Sequence, residues 1–198
     1  MTRYAEDLVE SSTSTASISP LVRDVRVMVP LLSATTAALT IGYIESLLEL
    51  HLQTFSLSVS SVGLCFLTMS LTYTATTLIT GYCVDKILQP ITFSTTGLLL
   101  LLLAFTLIGP APFLPLAPSL APSLPLTLLS LVLQGAGAAL VLVSTFSSSL
   151  AATLSKEGYT DSPSTFSLVS GLWTSAFALG NFLGPSVAGV IYDKVTID

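Results

Sequence analysis

Charge is what this sequence has least of. Only 9% of its 198 residues are Asp, Glu, Lys or Arg, against 52% hydrophobic. A soluble domain carries about a quarter charged residues, so this chain has too little polar surface to cover a water-facing exterior. The composition also excludes a disordered, collagenous or coiled-coil protein. Basic residues are the scarcer sign, six Lys and Arg against eleven Asp and Glu, which sets aside nucleic acid as a partner. The two cysteines, Cys65 and Cys83, lie in one apolar segment. On a helix they would be about 27 Å apart, too far to bridge. With His51 as the single histidine, neither a metal cluster nor a Ser-His catalytic site is supported. No phosphate loop is present, so no cofactor and no enzyme activity are expected. The single asparagine, Asn181, is followed by Phe-Leu, so there is no N-glycosylation sequon. The first 20 residues hold no apolar run, and no cleavable leader is expected.

What fills the chain instead is five long apolar stretches, at 27–52, 59–83, 91–110, 126–152 and 166–191. Each meets the roughly 20 residues that a bilayer crossing requires. None alternates with period two, so they read as helices rather than barrel strands. The expected fold class is an all-α integral membrane protein of about five transmembrane helices. Short polar joints separate the spans. Residues 53–58 form a turn, Asp85 to Pro90 a charged turn ending in a helix-initiating proline, and 153–165 another polar joint. Residues 110–125 hold six of the eleven prolines. That density excludes a spanning helix and predicts an extended loop. Residues 1–26 read as a Ser/Thr-rich tail.

Basic residues orient the spans. Arg3, Arg23, Arg26, Lys86 and Lys156 fall in the tail and the even-numbered joints, whereas Lys194 falls on the opposite side. Five against one predicts a cytoplasmic N-terminus and a lumenal or external proline-rich loop. Of the 17 charged residues, 15 lie in tails, joints or span ends. The exceptions, Glu45 and Glu49, lie in the first span, four apart and so on one helix face. A charge inside a span costs a few kcal/mol. Glu45 and Glu49 are therefore both candidates for a substrate or proton site, Glu45 as a cation or proton site in a water-accessible cavity. The alternative is that both reach the interface at the helix end. Glu49, one turn nearer that end, fits the interfacial position better, as does His51.

Small residues mark two further places. Gly180, Gly184 and Ala188 form a stripe at four-residue spacing, which lets helix backbones approach closely. Pro185 within it removes a backbone hydrogen bond, and Gly189 follows. Ordinary tight packing is the alternative to a role in sealing one side of a moving bundle. Gly81 stands four residues before the Asp85-Lys86 pair, a pattern that a solvated turn also explains. Gln134-Gly135-Ala136-Gly137 is a third close-packing stretch, with one polar side chain.

Together these motifs resemble the major facilitator superfamily. Gly81, Asp85 and Lys86 are similar to its loop between the second and third helices, which repeats between the eighth and ninth. The 180–189 segment resembles the glycine-proline motif of its proton-coupled antiporters, with Ala188 where the fuller pattern has glycine. Within the superfamily, Gly42-Tyr43-Ile44-Glu45-Ser46-Leu47-Leu48 resembles the seventh helix of vesicular amine transporters, with Ser46 where proline is usual. The run from Ser164 to Trp173, continuing to Ile191-Tyr192-Asp193-Lys194, is most similar to the polyamine-transporting branch of that family. The resemblance covers residues 27–194. It implies that the five spans are helices seven to eleven of twelve, part of the second six-helix bundle. It carries the family's seventh-helix acid over to Glu45, as a contact for a cationic amine. Monoamine carriers hold further acids in the tenth and eleventh helices, and the positions around Ala139 and at Thr174 have none, which favours a polyamine. The function so implied is proton-coupled antiport of an organic cation into intracellular vesicles. Its partners would be the amine, protons, the bilayer, and the missing N-terminal bundle. Such a chain reads as a short isoform, a fragment or an incomplete reading frame. The alternative is a non-transporting membrane protein that pairs with a full-length carrier.

Overall fold

A computed structural model describes residues 18–53, 55–87, 89–108 and 123–197. Six helices account for almost all of them: α1 (Ser19–Val22), α2 (Val25–Gln53), α3 (Val59–Ile87), α4 (Pro90–Ile108), α5 (Leu124–Leu154) and α6 (Pro163–Ile197). Among the described residues there is no strand. Five helices, α2 to α6, are long and apolar enough to cross a membrane. The shortest, α4, has 19 residues, which at 1.5 Å per residue matches a hydrocarbon core about 30 Å thick.

Four of the five expected spans lie wholly inside one of these helices, which run past the apolar stretches into the polar joints. The third, 91–110, is helical to Ile108, and its last two positions lie outside the described residues. α3 continues through Asp85 and Lys86 to Ile87, so the pair forms its last turn rather than a loop. There Lys86 Nζ lies 5.3 Å from the Tyr82 ring centre, a cation–π contact that covers the aromatic face. The expected tail is interrupted by α1, which begins around Pro20, and by the first residues of α2. Residues 1–17 lie outside the described residues. So does most of the expected proline-rich loop, while Leu124 and Pro125 already belong to the first turn of α5. Proline suits that position because the first helical N–H has no partner to lose.

Many serines and threonines lie within the apolar helices, and most of their hydroxyls bond within their own helix, although the hydroxyls of Thr77 and Thr80 of α3 are buried with no partner among the described residues. Thr36 Oγ1 donates to the Leu32 carbonyl at 2.9 Å, Thr68 to Leu64 at 2.9 Å and Ser149 to Thr145 at 2.8 Å. A hydroxyl that returns its proton to its own helix removes the cost of an unmet polar group in lipid. This is how a chain so rich in Ser and Thr still makes spanning helices.

α5 sits centrally and packs on α2, α3 and α4, while α6 lies mainly against α2 and touches α5 more lightly. One core cluster joins Ala34 and Ala37 of α2 to Leu101 of α4 and Ala138 and Val141 of α5. A second joins Ile44, Leu48 and Leu52 to Cys65 and Met69 of α3 and Leu131 of α5. Glycines set the distances. A Cβ added to Gly97 would lie 2.8 Å from the Gly137 carbonyl oxygen, and one added to Gly135 would lie 2.5 Å from that of Met69. The α4–α5 and α3–α5 crossings are therefore backbone against backbone, a spacing only glycine permits.

At the end of the bundle where α2 begins, Lys156 Nζ donates to the Pro20 carbonyl at 2.8 Å and to Asp24 Oδ2 at 3.1 Å. The Arg26 N–H bonds the other Asp24 oxygen at 3.0 Å. These donors, the Arg26 N–H first, hold the Asp24 carboxyl below the usual carboxylate range. The tether is therefore complete above that range and is lost only as the pH falls below it, through the depressed value of the Asp24 carboxyl. Amide exchange across 155–162 is expected to be faster in Asp24→Asn than in the unmodified chain near neutrality. The difference should vanish in acid, and equal exchange at neutral pH would refute the tether.

Candidate functional site

A cavity of about 270 Å³ opens between α2, α3, α5 and α6. Its wall includes Ile41 and Glu45 of α2, Tyr73 of α3, Gln134 of α5 and Phe177 of α6. The helical period explains the α2 contribution, since residues four apart face one way. Ile41 and Glu45 therefore share the cavity side, while Ile44 and Leu48 are buried in the second core cluster. Glu49 is exposed, as Glu45 is, but is not part of this wall. The structure thus separates the two acids that share a face in sequence.

The lining is mostly apolar, with few polar groups: Glu45, Ser70, Tyr73, Thr74 and Gln134. This is the usual make-up of a small-molecule site, where a few polar groups orient a ligand held by apolar contact. Among the described residues Glu45 supplies the only acidic side chain of the wall, and no basic side chain lines it. A positively charged guest is the one such a wall favours. The aromatic rings of Tyr73 and Phe177 add faces that attract cations.

Phe177 is held by its neighbours. It stacks on Trp173 with ring centres 5.7 Å apart, and Trp173 meets Phe146 of α5 edge-on at 5.8 Å. The Trp173 Nε1–H donates to Thr145 Oγ1 at 3.2 Å. An aromatic cluster therefore joins α6 to α5 and places Phe177 on the cavity wall.

The glycine-proline segment of α6 meets α2, and the two helices run parallel. A Cβ on Gly180 would collide with the Thr35 carbonyl oxygen. One on Gly184 would lie 2.6 Å from the Leu39 oxygen and 2.7 Å from the Tyr43 nitrogen. The Thr35 hydroxyl shares its one proton between the Leu31 carbonyl of its own helix at 3.0 Å and the Ala176 carbonyl of α6 at 3.1 Å, which links the two helices. Gly42 is the matching residue on α2, where an added Cβ would lie 2.9 Å from Pro185 Cδ and 3.0 Å from the Asn181 carbonyl oxygen. That carbonyl is the one Pro185, lacking an N–H, leaves without its helical donor. Gly42 stands three residues before Glu45, so the close contact and the acid belong to the same turn of α2. Sequence reading did not single out Gly42. Its signal was only its helical spacing from Ala38 and Ser46, small residues four positions away on either side.

The remaining motif residues lie apart from the cavity. A Cβ added at Gly81 or Gly189 meets nothing within 4 Å. At that end of α6 the buried small residue is Ala188, with no exposed surface. Asp85 and Lys86 are exposed. His51 Nε2 lies 3.3 Å from Thr127 Oγ1 and its ring meets Phe55 edge-on, so it joins the end of α2 to the start of α5. Cys65 and Cys83 are unpaired thiols. Among the described residues no group of three His, Cys, Asp or Glu is placed to hold a metal ion.

Comparison with known proteins identifies the family. The family description "Major Facilitator Superfamily" matches residues 30–197. The human protein named "MFS-type transporter SLC18B1" is 32% identical over 157 residues, 78% of this chain and 33% of its own length. The rat and mouse proteins of the same name are each 33% identical over 156 residues, with the same coverage. The chain thus spans about a third of the length of these curated relatives. No solved structure matches it. With five apolar helices and a family match over most of its length, the chain is an integral multi-pass membrane protein and belongs to the major facilitator superfamily.

Proposed function

We propose that this chain supplies part of a proton-coupled carrier that exchanges organic cations across an intracellular vesicle membrane, polyamines in preference to monoamines. The observation that carries this reading is the position of Glu45 as the only acid, among the described residues, on the wall of a largely apolar cavity. A proton and an ammonium group compete for the same carboxylate oxygens. Protonation from the acidic side would release the amine, and rocking of the two bundles would return the site to the other side. The similarity to transporters of the superfamily, rather than to enzymes, supports transport. In this reading Gly180, Gly184 and Pro185 form the parallel contact that seals one side, and the five spans are helices seven to eleven. The N-terminus is cytoplasmic. The meeting of Lys156 with Asp24 supports grouping the tail and the 153–165 joint on one face.

A second reading is favoured by one fact, that the chain covers a third of its relatives' length. In it, the chain is a non-transporting membrane protein that pairs with a full-length carrier. Reconstitution in liposomes with an acidic interior separates the two. Accumulation of labelled spermidine by the chain alone refutes the second reading. Binding of spermidine without accumulation favours it. Absence of binding overturns the amine reading.

A further inference from the structure

Gln134 is fully buried and lines the cavity that holds Glu45. Its amide is held in one orientation by a chain of donors. The Thr40 hydroxyl gives its proton to the Ala37 carbonyl at 2.7 Å. With that hydrogen committed, Thr40 Oγ1 can only accept, and Gln134 Nε2 donates to it at 3.2 Å. The amide NH₂ is thereby turned toward Thr40 and the carbonyl oxygen away from it. Gln134 Oε1 is buried and has no hydrogen-bond partner among the described residues. Buried acceptors are nearly always met in folded proteins, so an unmet one on the wall of a candidate site calls for a donor that arrives with the ligand.

We propose that Gln134 Oε1 is a second recognition group of this cavity, accepting a hydrogen bond from an ammonium N–H. The cavity would therefore select amines that carry N–H bonds over quaternary ammonium ions. This rests on the reading of Glu45 as the amine's counter-charge and deepens it. Glu45 answers positive charge, which every ammonium ion carries. Gln134 is neutral and answers only an N–H donor, which a quaternary ion lacks. A site with a fixed polar group discriminates most strongly against a ligand that leaves that group unpaired. Thr40 is a positioning residue here, because it acts through the amide it orients.

The chain in lipid nanodiscs, titrated with butane-1,4-diamine and with its bis(trimethylammonium) counterpart, tests this. The unmodified chain should prefer the diamine by about tenfold, the order expected for one unmet buried acceptor. Gln134→Met keeps the length and removes the acceptor. It should weaken diamine binding about tenfold and leave the quaternary ion within about twofold, by the same principle. Glu45→Gln should weaken both ions alike. Thr40→Val leaves Gln134 in place but frees its amide to turn, so it should lower the preference partway even if Gln134→Met does not fold. A chain that binds both ions equally overturns the proposal, as does a preference unchanged in Gln134→Met or, where that variant does not fold, in Thr40→Val. A chain that binds neither ion overturns the amine reading itself, and this assignment with it.

Discussion

Glu45→Gln is expected to weaken spermidine binding to the chain in nanodiscs about a hundredfold, the scale of a charge-assisted hydrogen bond lost in a partly dry site. The substitution keeps the shape of the side chain and removes its charge, on a wall where no other acid among the described residues can take over. Glu45→Asp should recover part of the affinity, since it restores the charge one methylene short. Glu49→Gln should leave binding within about threefold, because an exposed acid one turn away contributes a screened interaction. The pH dependence gives a second readout. If proton and amine share one carboxylate, binding weakens as the medium is acidified, and Glu45→Gln removes that slope. Unchanged affinity in Glu45→Gln, or an effect as large in Glu49→Gln, would sink the assignment.

Gly184→Leu should destabilise the chain by about 2–3 kcal/mol, the upper range for forcing atoms into a packed interface. The atoms that a side chain there would strike are backbone, the Leu39 oxygen and the Tyr43 nitrogen. Neither can turn aside as a flexible side chain can, so α2 and α6 must separate. Gly189→Leu on the same helix should be nearly neutral, because its added atoms meet open space. Trp173, the only tryptophan, sits on α6 and reports melting by fluorescence in detergent. Equal melting temperatures for the two variants would show that the α2–α6 contact is not held by glycine.

Much of the architecture was legible in the sequence, because hydrocarbon thickness fixes how long an apolar helix must be. The five spans and the proline that opens α4 follow from that rule and from backbone chemistry. Helix ends were less legible. A helix satisfies its own backbone in water as well as in lipid, so α3 runs on through Asp85 and Lys86 although the apolar signal stops. The site was half legible. Glu45 announces itself as a charge out of place. Gln134 does not, because one amide beside glycines reads as packing until Thr40, 94 residues away, is seen to hold it. Nor does the sequence separate Glu45 from Glu49, since a shared helix face says nothing about which neighbouring helix forms a cavity there. Gly42 was hidden for the same reason: its partner Pro185 belongs to the other end of the chain.

The contacts between helices are of two mechanical kinds. Thr35, Gln134 and Trp173 key α2, α5 and α6 to one another through directed hydrogen bonds. α3 and α4 bear on α5 through glycine and smooth apolar surface. A key resists sliding along the helix axis, whereas a smooth bearing yields to it. Shear imposed on this bundle would be taken up first at α3 and α4, and the cavity wall carrying Glu45 and Gln134 would travel as one piece.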